Sequence, residues 1–252
     1  MKRTICLVMF IAVLIAGISC NGDKDKKDWK SYNRDAMSLF QQGKYDEAIA
    51  ASDKAIEKAT EEFGEEHENV ATAMINKANV HYAKEEVEEA KKLYIKATGI
   101  MAASLPPDSP KLAPPLNNLG FLYASQGEFE KAETSYKAAL EIQKKAHGED
   151  AKEVGFTLNN LAELYRQTGE TEKAEEHYER SLALYEKAYG KDDHSLKVVL
   201  QNMAGFYRQT GNEEKAEELE KRAQGLRTSA HHQHPVERTA GSEDAGDAGG
   251  TE

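Results

Sequence analysis

The sequence is short of the residues on which many functions depend. Two cysteines in 252 residues, one of them at position 6 within the leader, leave no pair for an intrachain disulfide once that leader is removed. Lys and Arg number 33 against 44 Asp and Glu, so the chain lacks the basic footprint that phosphate binding requires, and nucleic acid is disfavoured as a partner. Beyond residue 20 there is no long apolar run, which excludes a multi-span membrane protein. There is no Gly-rich phosphate loop, nucleophile elbow or paired-cysteine spacing, and His67-Glu68 begins an HExxH motif without supplying its second histidine. Adjacent pairs such as Glu85-Glu86, Glu175-Glu176 and Glu217-Glu218 point about 100° apart on a helix and read as solvated faces rather than acid/base pairs. His231, His232 and His234 lie outside any periodic segment and read as solvated side chains. The expectation is a protein without catalysis, cofactor, metal or small-molecule substrate. What remains is rich in Ala, Glu, Lys and Leu, an acidic and mostly helical composition.

The N-terminus differs from the rest. Lys2 and Arg3 precede an uncharged apolar run from Ile5 to Ile18, which as a helix rises about 21 Å, short of the roughly 30 Å of a hydrocarbon core. That suits a cleaved signal peptide over residues 1–19. The run ends at Gly17-Ile18-Ser19-Cys20, which resembles the lipobox of bacterial lipoproteins, with Gly17 in place of the family's preferred Leu. The resemblance implies that Cys20 becomes the N-terminus and receives a diacylglycerol, anchoring the chain to a membrane. An ordinary secretory peptide with an incidental cysteine is the alternative. Residues 20–28, including the run NGDKDKKD, read as a polar tether. Asn21, where family sorting rules place Asp for inner-membrane retention, leans toward the periplasmic side of a bacterial outer membrane.

One period organises the body. LNNLGFLYASQGEFEKAE, LNNLAELYRQTGETEKAE and LQNMAGFYRQTGNEEKAE begin at Leu116, Leu158 and Leu200, 42 residues apart, and fainter copies begin at Met74 and Tyr32. One column reads Gly43, Glu85, Gly127, Gly169, Gly211; five residues on stand Ala48, Ala90, Ala132, Ala174 and Ala216. Seven before the glycine column come Ala36, Ala78, Gly120, Ala162 and Ala204, and nine after it Ser52, Tyr94, Tyr136, Tyr178 and Glu220. Leu158, Leu161, Ala162 and Tyr165 fall at helical spacing, as do Ala174, Tyr178 and Ser181, so each period is two amphipathic helices. One pair cannot bury its own apolar face, and neighbouring pairs must stack.

These small, aromatic and alanine positions resemble the tetratricopeptide repeat, and the 42-residue length is similar to the long-helix version of kinesin light chains. The resemblance implies an all-α, right-handed α-solenoid of five helix pairs at about 29–66, 67–108, 109–150, 151–192 and 193–228. Asp35, Lys77 and His81 depart from the apolar or aromatic residues of later copies, so the first two pairs are expected to be looser. Glu220 and Gln224, where earlier copies have Tyr178 and Leu182, suit a terminal cap, and residues 229–252 have the composition of a disordered acidic tail.

The informative polar column holds Arg34, Asn76, Asn118, Asn160 and Asn202. Asparagine is a mediocre helix former, so its recurrence in mid-helix needs a reason. In the family that this sequence resembles, the equivalent face lines a concave groove where asparagine bonds the main chain of an extended peptide. The resemblance makes Asn76, Asn118, Asn160 and Asn202, with Asn117 and Asn159 beside them, the groove residues, and Arg166 and Arg208 a positive spot for a carboxylate. The alternative is that the asparagines bond neighbouring repeats or water. The function implied is a membrane-anchored scaffold or adaptor that binds protein or peptide partners in the groove. Alternatives are an envelope assembly factor, such as a pilotin-like or barrel-assembly-like lipoprotein, and a non-catalytic regulatory subunit of an envelope enzyme.

Overall fold

The computed structural model describes residues 27–226. The leader over 1–19, Cys20, most of the tether and the tail over 229–252 lie outside the described residues. Among these residues the architecture is all-α, as expected, and the helices come in pairs: α1 (Trp29–Gln41) with α2 (Tyr45–Phe63), α3 (Glu68–Ala83) with α4 (Val87–Ser104), α5 (Ala113–Ser125) with α6 (Phe129–His147), α7 (Lys152–Thr168) with α8 (Thr171–Tyr189), and α9 (Lys197–Gln209) with α10 (Glu213–Gly225). Short 3-10 turns at Pro110–Leu112 and His194–Leu196 lead into α5 and α9. Each second helix packs against the first helix of the next pair, which makes the stack.

The turn inside each pair explains the glycine column. The residue there has positive φ in every repeat, from 65° at Glu85 to 83° at Gly211, and the next N–H closes back on the carbonyl five residues earlier, Glu170 on Tyr165 at 2.8 Å and Asn212 on Tyr207 at 2.8 Å. Glu85 holds the same conformation at φ 65°, the one non-glycine with positive φ among the described residues.

Packing follows the small columns. Ala48, Ala90, Ala132, Ala174 and Ala216 are completely buried, as are Ala36, Ala78 and Ala162, so the helices of a pair meet through methyl groups. Tyrosines fill the adjoining space, and in the last three repeats Tyr136, Leu158, Leu161, Tyr178 and Phe206 belong to one continuous apolar cluster. The polar departures of the first two repeats find partners: Lys27 meets Asp35, Lys77 meets Asp53, and His81 meets Glu86, each at 2.6 Å.

A polar tie also links neighbouring repeats, from first helix to preceding second helix. Tyr165 donates to Glu133 at 2.7 Å and Tyr207 to Glu175 at 2.8 Å, each reaching the second helix of the preceding repeat. Lys173 and Lys215 sit 5.0 and 4.5 Å from the centres of those two rings. Glu175 is therefore a joint between repeats, not the free solvated carboxylate that its neighbour Glu176 resembles. No described helix is long and apolar enough to cross a membrane.

Candidate functional site: the concave face of repeats three to five

The first helices of the last three repeats line a cleft of about 510 Å³. The column that places Asn160 and Asn202 on this face also places a residue one helical turn earlier, and here it is apolar: Phe156 and Val198. Phe121, three residues after Asn118, joins them. These side chains are 48%, 62% and 51% exposed, so large apolar groups stand in water along one face. Asn159, Asn160, Gln167 and Asn202 supply amides, and Tyr136 lies beneath.

The asparagines form an inter-repeat ladder. Asn76 donates to Asn33 at 2.9 Å, Asn160 to Asn117 at 3.5 Å, and Asn202 to Asn159 at 3.2 Å. Each bond spans 43 residues, from one first helix to the preceding one. The rung needs an amide one position before the preceding column residue, and for Asn118 that position is Ile75. The side chain of Asn118, half-buried, makes no hydrogen bond among the described residues and is not among those that line the cleft.

Asn117 does not line the groove as expected. It is 3% exposed and donates to the Ala113 carbonyl at 3.2 Å and to Thr157 Oγ1 at 2.9 Å, while Thr157 donates to Gln143 at 2.6 Å. This chain of buried polar groups joins repeats three and four, and its members satisfy one another. Thr157 and Gln143 were missed in the sequence because each is one polar residue in an otherwise mixed column. Asn159 is 7% exposed yet reaches the cleft wall, whereas Asn76 lies in repeat two, outside the cleft.

The two arginines do not form an open positive spot. Arg166 donates through Nε to Glu163 at 2.9 Å and through Nη1 to Gln209; Arg208 donates to Glu220 at 2.8 Å and lies 3.5 Å from Glu213. The i,i+3 spacing of Glu163 and Arg166 allows their pair on one helix, whereas Gln209 and Glu220 come close only when helices pack. Burial of the Glu163 carboxyl works to raise its pKa, but bonds from Arg166, Gln167 and Tyr178 prevail and hold it below the ordinary glutamate value. The cleft is thus internally neutralised. No group of His, Cys, Asp and Glu among the described residues is arranged to hold a metal ion.

The tetratricopeptide repeat family model matches residues 31–103, 111–187 and 153–229, and the chain belongs to this family. No curated protein sequence matches the chain. Among solved structures it is similar to BtubC (BKLC) from P. vanneervenii, 24% identical over 87% of each chain with a TM-score of 0.69. A putative kinesin light chain from Podosopora anserina, with nearly identical TPR-like repeats, is 21% identical over 77% of this chain and 92% of its own, with a TM-score of 0.65. A Rap protein solved in complex with competence and sporulation factor is 19% identical over 77% of this chain and 52% of its own, with a TM-score of 0.64. At these identities the likeness shows the fold alone.

Proposed function

We propose that the chain is a non-catalytic adaptor whose concave cleft holds an extended segment of a protein partner, and that a lipid on Cys20 tethers it to the bacterial envelope. The observation carrying the first part is the row of exposed Phe121, Phe156 and Val198 interleaved with amides on the first helices: apolar contact plus donors and acceptors suited to a peptide main chain. The stacked fold presents that row on packed helices, so little ordering opposes binding. The second part rests on the GISC sequence and the polar stretch after it. Co-purification with the full chain, repeated with Phe156→Asp, tests the cleft: a partner retained by both proteins binds elsewhere. The intact mass of the membrane-extracted chain tests the anchor; a mature N-terminus other than Cys20, or the absence of acyl mass, refutes it, and Cys20→Ala should leave an unlipidated precursor.

A further inference from the structure

The cleft breaks the repeat pattern at one point. In repeats two and four the tyrosine of the second helix donates its hydroxyl to the first-helix residue fifteen positions earlier, Tyr94 to Asn79 and Tyr178 to Glu163. In repeat three that position is Phe121, which has no acceptor to offer. Tyr136 is 2% exposed and lines the cleft, and its hydroxyl makes no hydrogen bond among the described residues. Its ring leans over Gly120 so closely that a Cβ there would stand 2.6 Å from ring carbons, although the same column carries Ala78, Ala162 and Ala204 in other repeats. Two departures, Gly120 and Phe121, thus give Tyr136 room to tilt and deprive it of its partner. A third falls on the same helix: Asn118, one turn before Phe121, has lost its rung to Ile75.

With no protein acceptor, the Tyr136 hydroxyl opens into the cleft, where it keeps a donor that repeats two and four use internally. α5 carries no charged residue between Ala113 and Ser125, and Glu163 beside it is matched by Arg166. We infer that repeat three is the specificity-determining point of the cleft: the Tyr136 hydroxyl donates to a main-chain carbonyl of the bound segment, and Phe121 and Phe156 grip one large aliphatic or aromatic side chain. This inference rests on the peptide-groove reading and adds the class of ligand, an uncharged extended segment with a bulky apolar residue. The neutral, apolar cleft gives an ionic segment nothing to pair with. The chain's own residues 229–252 do not qualify, because they contain no Leu, Ile, Met, Phe, Tyr or Trp.

The test is selection of a phage-displayed random 12-mer library on the full chain, followed by affinity measurements on the best synthetic peptide. Enrichment of uncharged sequences with a large apolar residue is expected. Tyr136→Phe should weaken binding about 3- to 10-fold, the loss of one neutral hydrogen bond. Phe121→Asn, which restores the acceptor found at Asn79, should weaken it further while leaving the melting temperature unchanged or higher, a combination that a purely structural role does not produce. Selection of acidic or basic sequences, or wild-type affinity in Tyr136→Phe while Phe156→Asp abolishes binding, overturns this inference and leaves the groove reading standing. Wild-type affinity in Phe156→Asp, or no enrichment over blank support, overturns both.

Discussion

The asparagine ladder predicts an ordering of four identical substitutions, because the same residue in the same column faces four different partners. In Asn202→Ala the Oδ1 of Asn159, a residue 7% exposed, loses its donor. Leaving such a group unpaired costs about 1–3 kcal/mol, against which alanine recovers about 0.5 kcal/mol of helix propensity, so a net loss of about 0.5–2.5 kcal/mol is expected. In Asn76→Ala the stranded partner, Asn33, is half-exposed and water replaces the bond, which holds the loss to about 0–1 kcal/mol. In Asn160→Ala the lost contact is long, 3.5 Å, and correspondingly weak, so the effects nearly cancel. In Asn118→Ala no rung exists to lose, and stability should rise by about 0.5 kcal/mol. Urea unfolding followed by far-UV circular dichroism measures the order, with an unchanged slope required of every variant. Four equal shifts, or Asn118→Ala more damaging than Asn202→Ala, would refute the ladder. If instead Asn118→Ala leaves the fold intact and weakens partner binding, this is the one asparagine of the four whose amide serves the ligand rather than the stack.

Glu85→Gly should stabilise the fold by roughly 1 kcal/mol in a denaturant titration, since glycine adopts the φ of 65° there without the steric penalty of a side chain. Ala174→Leu forces a larger side chain into a fully buried contact and should cost about 1–3 kcal/mol, while Glu176→Leu on the exposed face should change stability by less than about 0.5 kcal/mol; equal effects in thermal melts would mean that the helix phase is wrong. Because the folded-state pKa of Glu163 is depressed, its contribution is complete above the ordinary value of 4.5 and is lost as pH falls through the folded-state value. Wild type should therefore exceed Glu163→Gln in melting temperature at neutral pH, with the gap closing only below that ordinary value; a gap that stays constant in acid would argue against the Arg166 and Tyr178 bonds.

The repeat, its helical phase and its two turns were legible in the sequence because they are local. Columns of alanine at i+42 and a glycine between two apolar stripes state which residues face inward without reference to any distant partner. The family and the stacked all-α fold followed from them. Spacing also placed Asn160 and Asn202 on one shared helix face, which the family resemblance implied to be the concave one, and the structure sets both in the cleft wall. What the spacing could not assign was the direction in which each amide spends its hydrogen bonds. That depends on the register between stacked helices, which brings Asn117 against Thr157 and Gln143, Arg166 against Gln209, and Ile75 to the place where Asn118 would need an amide. Arg166 and Arg208 read as an open positive spot in one dimension, although Glu163 stands one turn before Arg166 on the same helix; for Arg208 it is packing of α10 on α9 that brings Glu220 to the guanidinium. Periodicity is a property of a single helix and survives translation into sequence, whereas the pairing of polar groups between helices is decided by side chains distant along the chain, and only the stacked repeats fix which are satisfied and which, at Tyr136 and Asn118, are left facing outward.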